Sequence, residues 1–485
     1  KQAGKALNTF NLPVVVDDFE DHSNAHVDDD ILLPEEISSL RGQLNCGQRE
    51  FADAVISAAN DIRLGINRNN NLFFLDAVGG TGKTFTFNYL ISELKDAGFK
   101  VASCAPTGIA ATLIRGGCTM HRMFGLPVPC VETSTCRIST TSKKADELRS
   151  IDIFFFDEAG AILKYCLDAA DKLMRDLTGI NLPFGGKLTV LGGDFRQILG
   201  VVPKAQPAQV IEACIKHSRL WNLINKYHLS ENMRAGNGQR EFANWLLEIG
   251  NGTSPVKVNE PFRGSVLMPQ CCIIDTKTTI VNAMYGSCLD VSNITSNVIL
   301  TPTNEDSLKI NDLVLPLLPG EEVSYYSADD IITDEDEDRD AFPLEFINKC
   351  TPSGMPPHRL KLKVGAVVML LRNLDLDKGL CNGTRLVVTH LHSNIVQCRI
   401  LTGIAEGTIA LIPRIQLSPS ETGLPFQLTR RQFPLRLAYS MTINKAQGQT
   451  FDKVGLCLRR PCFAHGQLYV ALSRARCYDD IKIQV

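Results

Sequence analysis

Lys83 and Thr84 close a glycine-rich run, Ala77-Val-Gly-Gly-Thr-Gly-Lys-Thr84, that follows the apolar stretch Phe73 to Leu75. Glycines at 79, 80 and 82 let successive backbone N–H groups turn inward around an anion. A helix beginning at the lysine would point its positive end at the same place. Strand, glycine turn and helix start in this order make a P-loop, a cradle for the phosphates of a nucleotide. Gly79, Gly80, Thr81 and Gly82 supply the cradle, Lys83 bridges the β and γ phosphates, and Thr84 ligates Mg2+. Ala77 stands where the usual pattern opens with glycine, a mild change at that turn.

A P-loop alone leaves kinases, GTPases and transporters open, so the next acidic element decides more. Ile151-Asp-Ile-Phe-Phe-Phe-Asp157-Glu158 is an apolar strand ending in paired carboxylates. At a strand's carboxyl end, Asp157 can hold Mg2+ through water while Glu158 orients and deprotonates the attacking water. Leu191-Gly-Gly-Asp-Phe-Arg-Gln197 is a third such strand end, placing Gln197 to sense the γ-phosphate. Arg234 and Arg474 lie far downstream, and arginines delivered to a phosphate stabilise its developing charge as fingers. Taken singly, each arginine is a surface residue or a local salt bridge; the set gives it a role.

These residues need a scaffold, and the chain has the length for one. Its 485 residues exceed what a single core supports, so two large domains with small insertions are expected. Apolar strands at Leu72 to Leu75, Val101 to Ala105, Ile151 to Phe156 and Leu188 to Leu191 alternate with helical segments, as in a doubly wound α/β domain. Helical periodicity also runs from Glu35 to Asp61. A second α/β set is predicted from Val298 to Thr301, Arg436 to Ser440 and Val454 to Cys457, interrupted by a turn-rich β block. The reading is an N-terminal extension over 1–42, a first motor domain over 43–205 and a second over 206–485.

Composition excludes some classes. No apolar run approaches the ~20 residues that span a bilayer, so no membrane partner is expected. The formal net charge of −3 does not announce a nucleic-acid binder, so any such track must be local. Acidity concentrates in Asp17 to Asp30 and Asp329 to Asp340, which read as solvated, mobile segments. Sixteen cysteines scattered without a ligand cluster point to reduced thiols, not a secreted scaffold. The Lys-Gln-Ala opening carries no readable leader and is expected to be a piece of a longer polypeptide.

The ordered series Leu44-Asn-x-x-Gln48, Gly79-Gly-Thr-Gly-Lys-Thr84, Ala105-Pro-Thr-Gly108, Asp157-Glu158, Gly193-Asp-Phe-Arg-Gln197, Asn232-Met-Arg234, Thr442-Ile-Asn-Lys-Ala-Gln-Gly-Gln449 and Tyr469-Val-Ala-Leu-Ser-Arg474 resembles that of Pif-type superfamily-one DNA helicases. Within that group, Pro352-Ser-Gly-Met-Pro-Pro-His-Arg-Leu-Lys-Leu-Lys-Val-Gly365, Val368-Met-Leu-Leu-Arg-Asn373 and Leu380-Cys-Asn-Gly-Thr-Arg385 are similar to the helicase part of Helitron transposases. The resemblance implies two RecA-like P-loop motor domains, with a wedge insertion at about 118–144 in the first and a small β-barrel insertion at about 360–433 in the second. It also implies an ATP hydrolase moving 5′ to 3′ on single-stranded DNA.

By position, the resemblance makes Gln48 a reader of the adenine edge, adds Gln447 and Gly448 to the nucleotide set, and makes Arg234 and Arg474 the fingers. Pro106, Thr107, His121, Thr442, Asn444 and Lys445 would line the single-strand track. Gly160 departs from relatives that often carry Ser or Pro there, which bears on coupling between the ATP site and DNA. Thr429-Arg-Arg-Gln-Phe433 is a further candidate phosphate contact, although adjacent loop arginines are more often only solvated. His390-Leu-His392 would place two imidazoles on one strand face but, inside the barrel, is read as chance. Expected partners are ATP, Mg2+, single-stranded DNA, single/double-strand junctions and a nicking or transposase domain in the same polypeptide; the expected location is nuclear, also mitochondrial or cytosolic, and not secreted. The competing readings are a stand-alone genome-maintenance helicase, a DNA-stimulated ATPase that translocates without unwinding, and a non-catalytic relic; the intact set of ATP residues argues against the last.

Overall fold

A computed structural model describes residues 32–66, 70–202, 205–233, 239–255, 265–286, 294–332, 342–352, 354–376, 378–403, 405–419 and 426–485. Contacts divide the chain into two compact units. The larger holds the described residues of Asp30–Ile280, Leu300–Pro302 and Thr442–Val485; the smaller holds those of Val281–Ile299 and Thr303–Met441.

The larger unit is built on a six-stranded parallel sheet. Its strands are β1 (Leu72–Ala77), β2 (Val101–Ala105), β3 (Gly117–Thr119), β4 (Ile153–Phe156), β5 (Leu188–Gly193) and β6 (Asn225–Leu229), in the order β3-β2-β4-β5-β1-β6. Near-continuous apolar strands fit a parallel sheet covered on both faces. The period-2 pleat sorts them: Leu72, Phe74, Phe154, Phe156 and Leu191 enter one core, while Phe73, Leu75, Ile153, Phe155, Leu188 and Val190 enter the other. Each such side chain contributes roughly 1.5–3 kcal/mol through burial. This α/β core fixes the site, because every loop leaving a carboxyl strand end emerges on the same edge.

Three helices matter for the site. Helix α1 (Cys46–Arg63) starts in a capping box in which Asn45 Oδ1 accepts from Gln48 N–H at 2.9 Å and Gln48 Oε1 accepts from Asn45 N–H at 3.0 Å. The single helix expected over Glu35 to Asp61 is therefore two, Pro34–Gln43 and α1, since this cap restarts the chain. Helix α2 (Lys83–Asp96) follows the P-loop and buries Phe87, Leu90, Ile91 and Leu94 at helical spacing. Helix α3 (Gly108–Leu113) follows β2. Later in the same unit, Lys453–Cys457 pairs in parallel with Ile481–Gln484, and Gln467–Leu472 is a short helix.

The smaller unit is antiparallel. Five strands run in the order Ile409–Pro413, Ile395–Ile400, Arg385–Leu391, Val367–Leu370 and Leu435–Leu437; a second sheet joins Ile415–Leu417, Gln427–Gln432 and Ala328–Ile332. The β block thus begins before Leu360, because Val323–Tyr326 pairs with Arg359–Leu362 and Ala328–Ile332 with Gln427–Gln432. The strand expected over Arg436 to Ser440 breaks in two at Ala438 and Tyr439. Ala438 N–H donates to Val367 C=O, whereas Tyr439 C=O accepts from Ile299 N–H, so successive residues serve different partners.

Two expectations fail here for one reason. Asp329 to Ile332 belongs to a paired strand, with the Asp329 side chain and Ile331 buried and Asp330 and Ile332 exposed, not to a mobile segment; the rest of that acidic stretch, 333–340, lies outside the described residues, as does Asp17 to Asp30. Asp329 accepts from Arg430 Nε at 2.8 Å and from Nη2 at 2.6 Å, both side chains fully buried. Arg430 also donates to the Pro356 carbonyl at 2.9 Å, so it braces the sheet and offers a phosphate nothing; Arg431 beside it is exposed. The His390 and His392 rings stack with centroids 6.3 Å apart.

Candidate nucleotide site

The P-loop leaves β1 at buried Ala77 and passes through Gly80 and Gly82 at φ +91° and +80°, conformations glycine adopts without a Cβ penalty. Gln48 is 1% exposed and works at both ends of its amide. Its Oε1 caps α1, and its Nε2 donates to the Thr81 carbonyl at 2.9 Å. The residue expected to read adenine thus braces the phosphate loop in this structure. A Cβ on Gly82 would lie 2.5 Å from Gln48 Nε2, which gives that glycine a second reason to be one. From the other side, Met233 N–H donates to Gly80 C=O at 2.9 Å. Arg234, next along, lies outside the described residues.

A cleft is lined by Gly79, Gly80, Thr81, Gly82, Lys83, Thr84, Glu158, Gln197, Gly448 and Arg474, with Ala77 and Met233 at its edge. Lys83 Nζ bonds Asp157 Oδ1 and sits 3.1 Å from Glu158 Oε1. Burial alone would favour neutral Lys83, yet the two carboxylates beside it hold its pKa above the ordinary lysine value. Burial would likewise raise the Glu158 carboxyl, but Lys83, Arg474 and a 3.4 Å bond from Gln447 Nε2 outweigh it and keep the group below its usual range. For Asp157 burial prevails, reinforced by repulsion from Glu158, and its pKa is raised. Two adjacent acids in different electrostatic states suit different tasks.

Glu158 has φ +49°, a left-handed conformation costly for a side-chain-bearing residue and concentrated at functional sites. The turn aims its carboxylate into the cleft. The following Gly160 packs tightly: a Cβ there would come 3.1 Å from the Asp194 carbonyl oxygen. The serine or proline of relatives would press on the loop that carries Asp194 and Gln197.

Asp194 and Tyr469 were not singled out by the sequence, though both lie in the quoted motifs. Asp194, 2% exposed, accepts from Gly79 N–H at 3.2 Å and Tyr469 O–H at 2.9 Å, and from the backbone N–H and Nη1 of Arg196, each at 3.0 Å. Gln197 points Nε2 back at Asp194, 3.5 Å away, and leaves Oε1 buried without a partner at the cleft. Arg474 is buried, donating from Nε to Val470 C=O (3.0 Å), from Nη1 to Gln449 C=O (2.9 Å) and from Nη2 to Ser473 Oγ (2.9 Å). Burial lowers its pKa against the pull of Glu158.

The DNA candidates fall into two groups. Pro106 and exposed Thr107 follow the carboxyl end of β2, where Thr107 Oγ1 caps α3 by accepting from Ala110 N–H at 3.3 Å; half-buried His121 lies on Met120–Phe124, its pKa lowered by burial, hence neutral at pH 7. Thr442, Asn444 and Lys445 lie on the turn through Ile443–Ala446, where exposed Asn444 accepts from Gln467 Nε2 at 2.9 Å. The groups sit on adjoining elements: a Cβ on Gly448 would come 3.3 Å from Leu113, the last residue of α3.

A family model described as PIF1-like helicase matches residues 43–260, and one described as the DNA helicase Pif1 2B domain matches residues 345–391. The ATP-dependent DNA helicase PIF1 of Xenopus laevis is 27% identical over 433 residues, covering 85% of this chain and 58% of that protein. The ATP-dependent DNA helicase Pif1 of Psychrobacter is 26% identical over 469 residues, covering 87% and 66%. The chain thus spans under six-tenths of the length of its vertebrate relatives. Crystal structures of Bacteroides Pif1 are similar with 26% identity over 88% of this chain and 91% of theirs, at TM-score 0.60 for the form bound to single-stranded DNA and 0.63 for the form with ADP-AlF3 and single-stranded DNA.

Proposed function

We propose that the chain is a PIF1-like helicase, a reading supported by the matches over residues 43–260 and 345–391, and that it is an ATP-dependent DNA helicase, coupling hydrolysis of a phosphoric anhydride to 5′-to-3′ movement on single-stranded DNA and duplex opening. The observation that carries this is the single cleft that gathers Lys83, Glu158, Gln197 and Arg474 around the P-loop. In the proposed cycle, arriving phosphates take Lys83 from its two carboxylates. Glu158, released from the ammonium, accepts a proton from the attacking water, while the unpartnered Oε1 of Gln197 is an acceptor that orients that water. Arg474, with Arg234, would balance charge on the transferring group. The Thr84 hydroxyl and Asp157 carboxylate are hard oxygen donors of the kind Mg2+ takes, and the ion would neutralise charge on the phosphate oxygens.

In this proposal Thr107 and Asn444, exposed on adjoining elements, contact strand phosphates with Pro106, His121, Thr442 and Lys445, and segment 118–144 serves as the wedge at a junction. Neutral His121 would act there by hydrogen bonding, not by charge. The narrower reading, a Helitron rolling-circle transposase module, rests on the stretches Pro352 to Gly365, Val368 to Asn373 and Leu380 to Arg385; a nicking domain of the His-hydrophobic-His type encoded in the same gene would support it, and its absence would leave a stand-alone nuclear genome-maintenance helicase. The test of the main proposal is ATP-dependent opening of paired 5′-tailed and 3′-tailed duplexes, with Lys83→Ala as the turnover control. Opening of only the 5′-tailed duplex, lost in the variant, is expected. ATP turnover stimulated by single strands with neither duplex opened would instead leave a translocase.

A further inference from the structure

The Gly79 N–H, at the start of the glycine-rich loop, is shared by two acceptors, Asp194 Oδ2 at 3.2 Å and Tyr469 Oη at 3.0 Å. Tyr469 in turn donates its own proton to Asp194 Oδ2 at 2.9 Å, closing a three-membered ring of hydrogen bonds. Asp194 cannot swing away, because Arg196 holds its other oxygen twice at 3.0 Å. Nor can the phenol ring: a Cβ on Gly79 would lie 3.2 Å from Tyr469 Oη and one on Gly250 would lie 3.0 Å from ring carbon Cδ2, so both glycines make room for it. Tyr469 is 2% exposed and sits on the helix Gln467–Leu472, directly ahead of Arg474.

We propose that Tyr469 is a positioning residue for the phosphate loop: its hydroxyl, oriented by Asp194, fixes the peptide plane at Gly79 and thereby the direction of the N–H groups that follow. A glycine pair at 79 and 80 has more backbone freedom than any other dipeptide, so the loop must lose that freedom somewhere before it binds. The ring of bonds removes it in advance, which is preorganisation. Because the loop grips ground state and transition state alike, losing the hydroxyl weakens nucleotide binding without slowing the chemical step. The inference rests on the proposed ATP site and names a further residue that tunes it.

Tyr469→Phe deletes only the oxygen and keeps the ring against Gly79 and Gly250. One net hydrogen bond corresponds to about fivefold in affinity. The experiment is steady-state ATP turnover at saturating single-stranded DNA, with direct titration of ADP, for the natural chain, Tyr469→Phe, Asp194→Asn and the double variant. The expected result is KM and the ADP dissociation constant both raised about fivefold in Tyr469→Phe with kcat unchanged. The double variant should be no worse than Asp194→Asn alone, since both act on one N–H. A merely structural role would lower the melting temperature and leave the split between KM and kcat unmoved. Unaltered KM in a folded Tyr469→Phe protein, or a loss carried by kcat, overturns the inference. No turnover by the natural chain would instead overturn the ATPase reading itself.

Discussion

Glu158→Gln separates catalysis from binding, because the carboxylate has two jobs in opposite directions. Its Oε1 lies 3.1 Å from Lys83 Nζ and its Oε2 3.4 Å from Gln447 Nε2, in a side chain that is 12% exposed. An amide keeps this shape and loses the proton acceptor. Loss of a positioned general base costs about 10²–10⁴ in turnover, or roughly 3–5 kcal/mol in barrier. The Lys83–Glu158 pair, however, must break before Lys83 can reach a phosphate. Removing one charge relieves that competition; a charge-assisted bond at about 1.5 kcal/mol corresponds to roughly tenfold tighter binding, with Lys83 keeping Asp157. Phosphate release with single-stranded DNA measures the first effect and calorimetric titration with ADP the second. The expected pair is kcat down at least a hundredfold and ADP affinity equal or higher. A turnover loss under tenfold, or ADP affinity weakened tenfold, would refute the base assignment.

Three further outcomes follow from the same geometry. Gly82→Ala should raise KM for ATP by about tenfold, since a left-handed residue with a Cβ costs about 1–2 kcal/mol and this one would displace Gln48 from Thr81; steady-state kinetics reads it. Gly192→Ala would push a Cβ to 2.5 Å from the fully buried Phe87 ring and should cost about 1–3 kcal/mol in urea unfolding with nucleotide binding retained in the folded fraction. Asp329→Asn should destabilise the smaller unit by about 3 kcal/mol at pH 7. Burial alone would raise the Asp329 carboxyl, but Arg430, Ser327 and His358 hold it below the usual range, so its contribution is complete above the unfolded value of about 4 and disappears as pH falls through the lower folded value. The gap between Asp329→Asn and the natural chain in denaturant midpoint should therefore close in acid; a gap constant from pH 7 to pH 2 would be evidence against the pairing.

Much of the larger unit was legible because its information is contiguous. An apolar strand and the acids that end it occupy neighbouring positions, so Phe73 to Thr84 and Ile151 to Glu158 each announce both an element and a chemistry. What escaped was information held between distant residues. Asp194 and Tyr469 meet Gly79 only after folding, and neither carries a periodic or compositional mark. Asp329 was misread because composition averages over a stretch, whereas one cross-strand arginine decides whether a single aspartate is solvated or buried. The helix through Glu35 to Asp61 failed more locally: periodicity continues across Leu44 and Asn45, but the reciprocal Asn45–Gln48 bonds end one helix and start another.

The residues gathered at the cleft share one property that bears on how such a site can work. In the structure nearly every group proposed for the site has a protein partner: Lys83 has the two acids, Gln48 has Thr81, Gln447 has Glu158, and Arg474 has three acceptors along its own segment. Buried charges left without partners would cost several kcal/mol, and these pairs avoid that cost. Nucleotide binding is then an exchange of partners, not an addition of bonds. An exchange in which Lys83 moves to phosphate would leave Glu158 held by Gln447, and Gln447 closes the turn that also presents Asn444 and Lys445. That bond would tie Glu158 to the segment proposed to touch DNA, which would give coupling between ATP and strand a physical route of two hydrogen-bonded side chains.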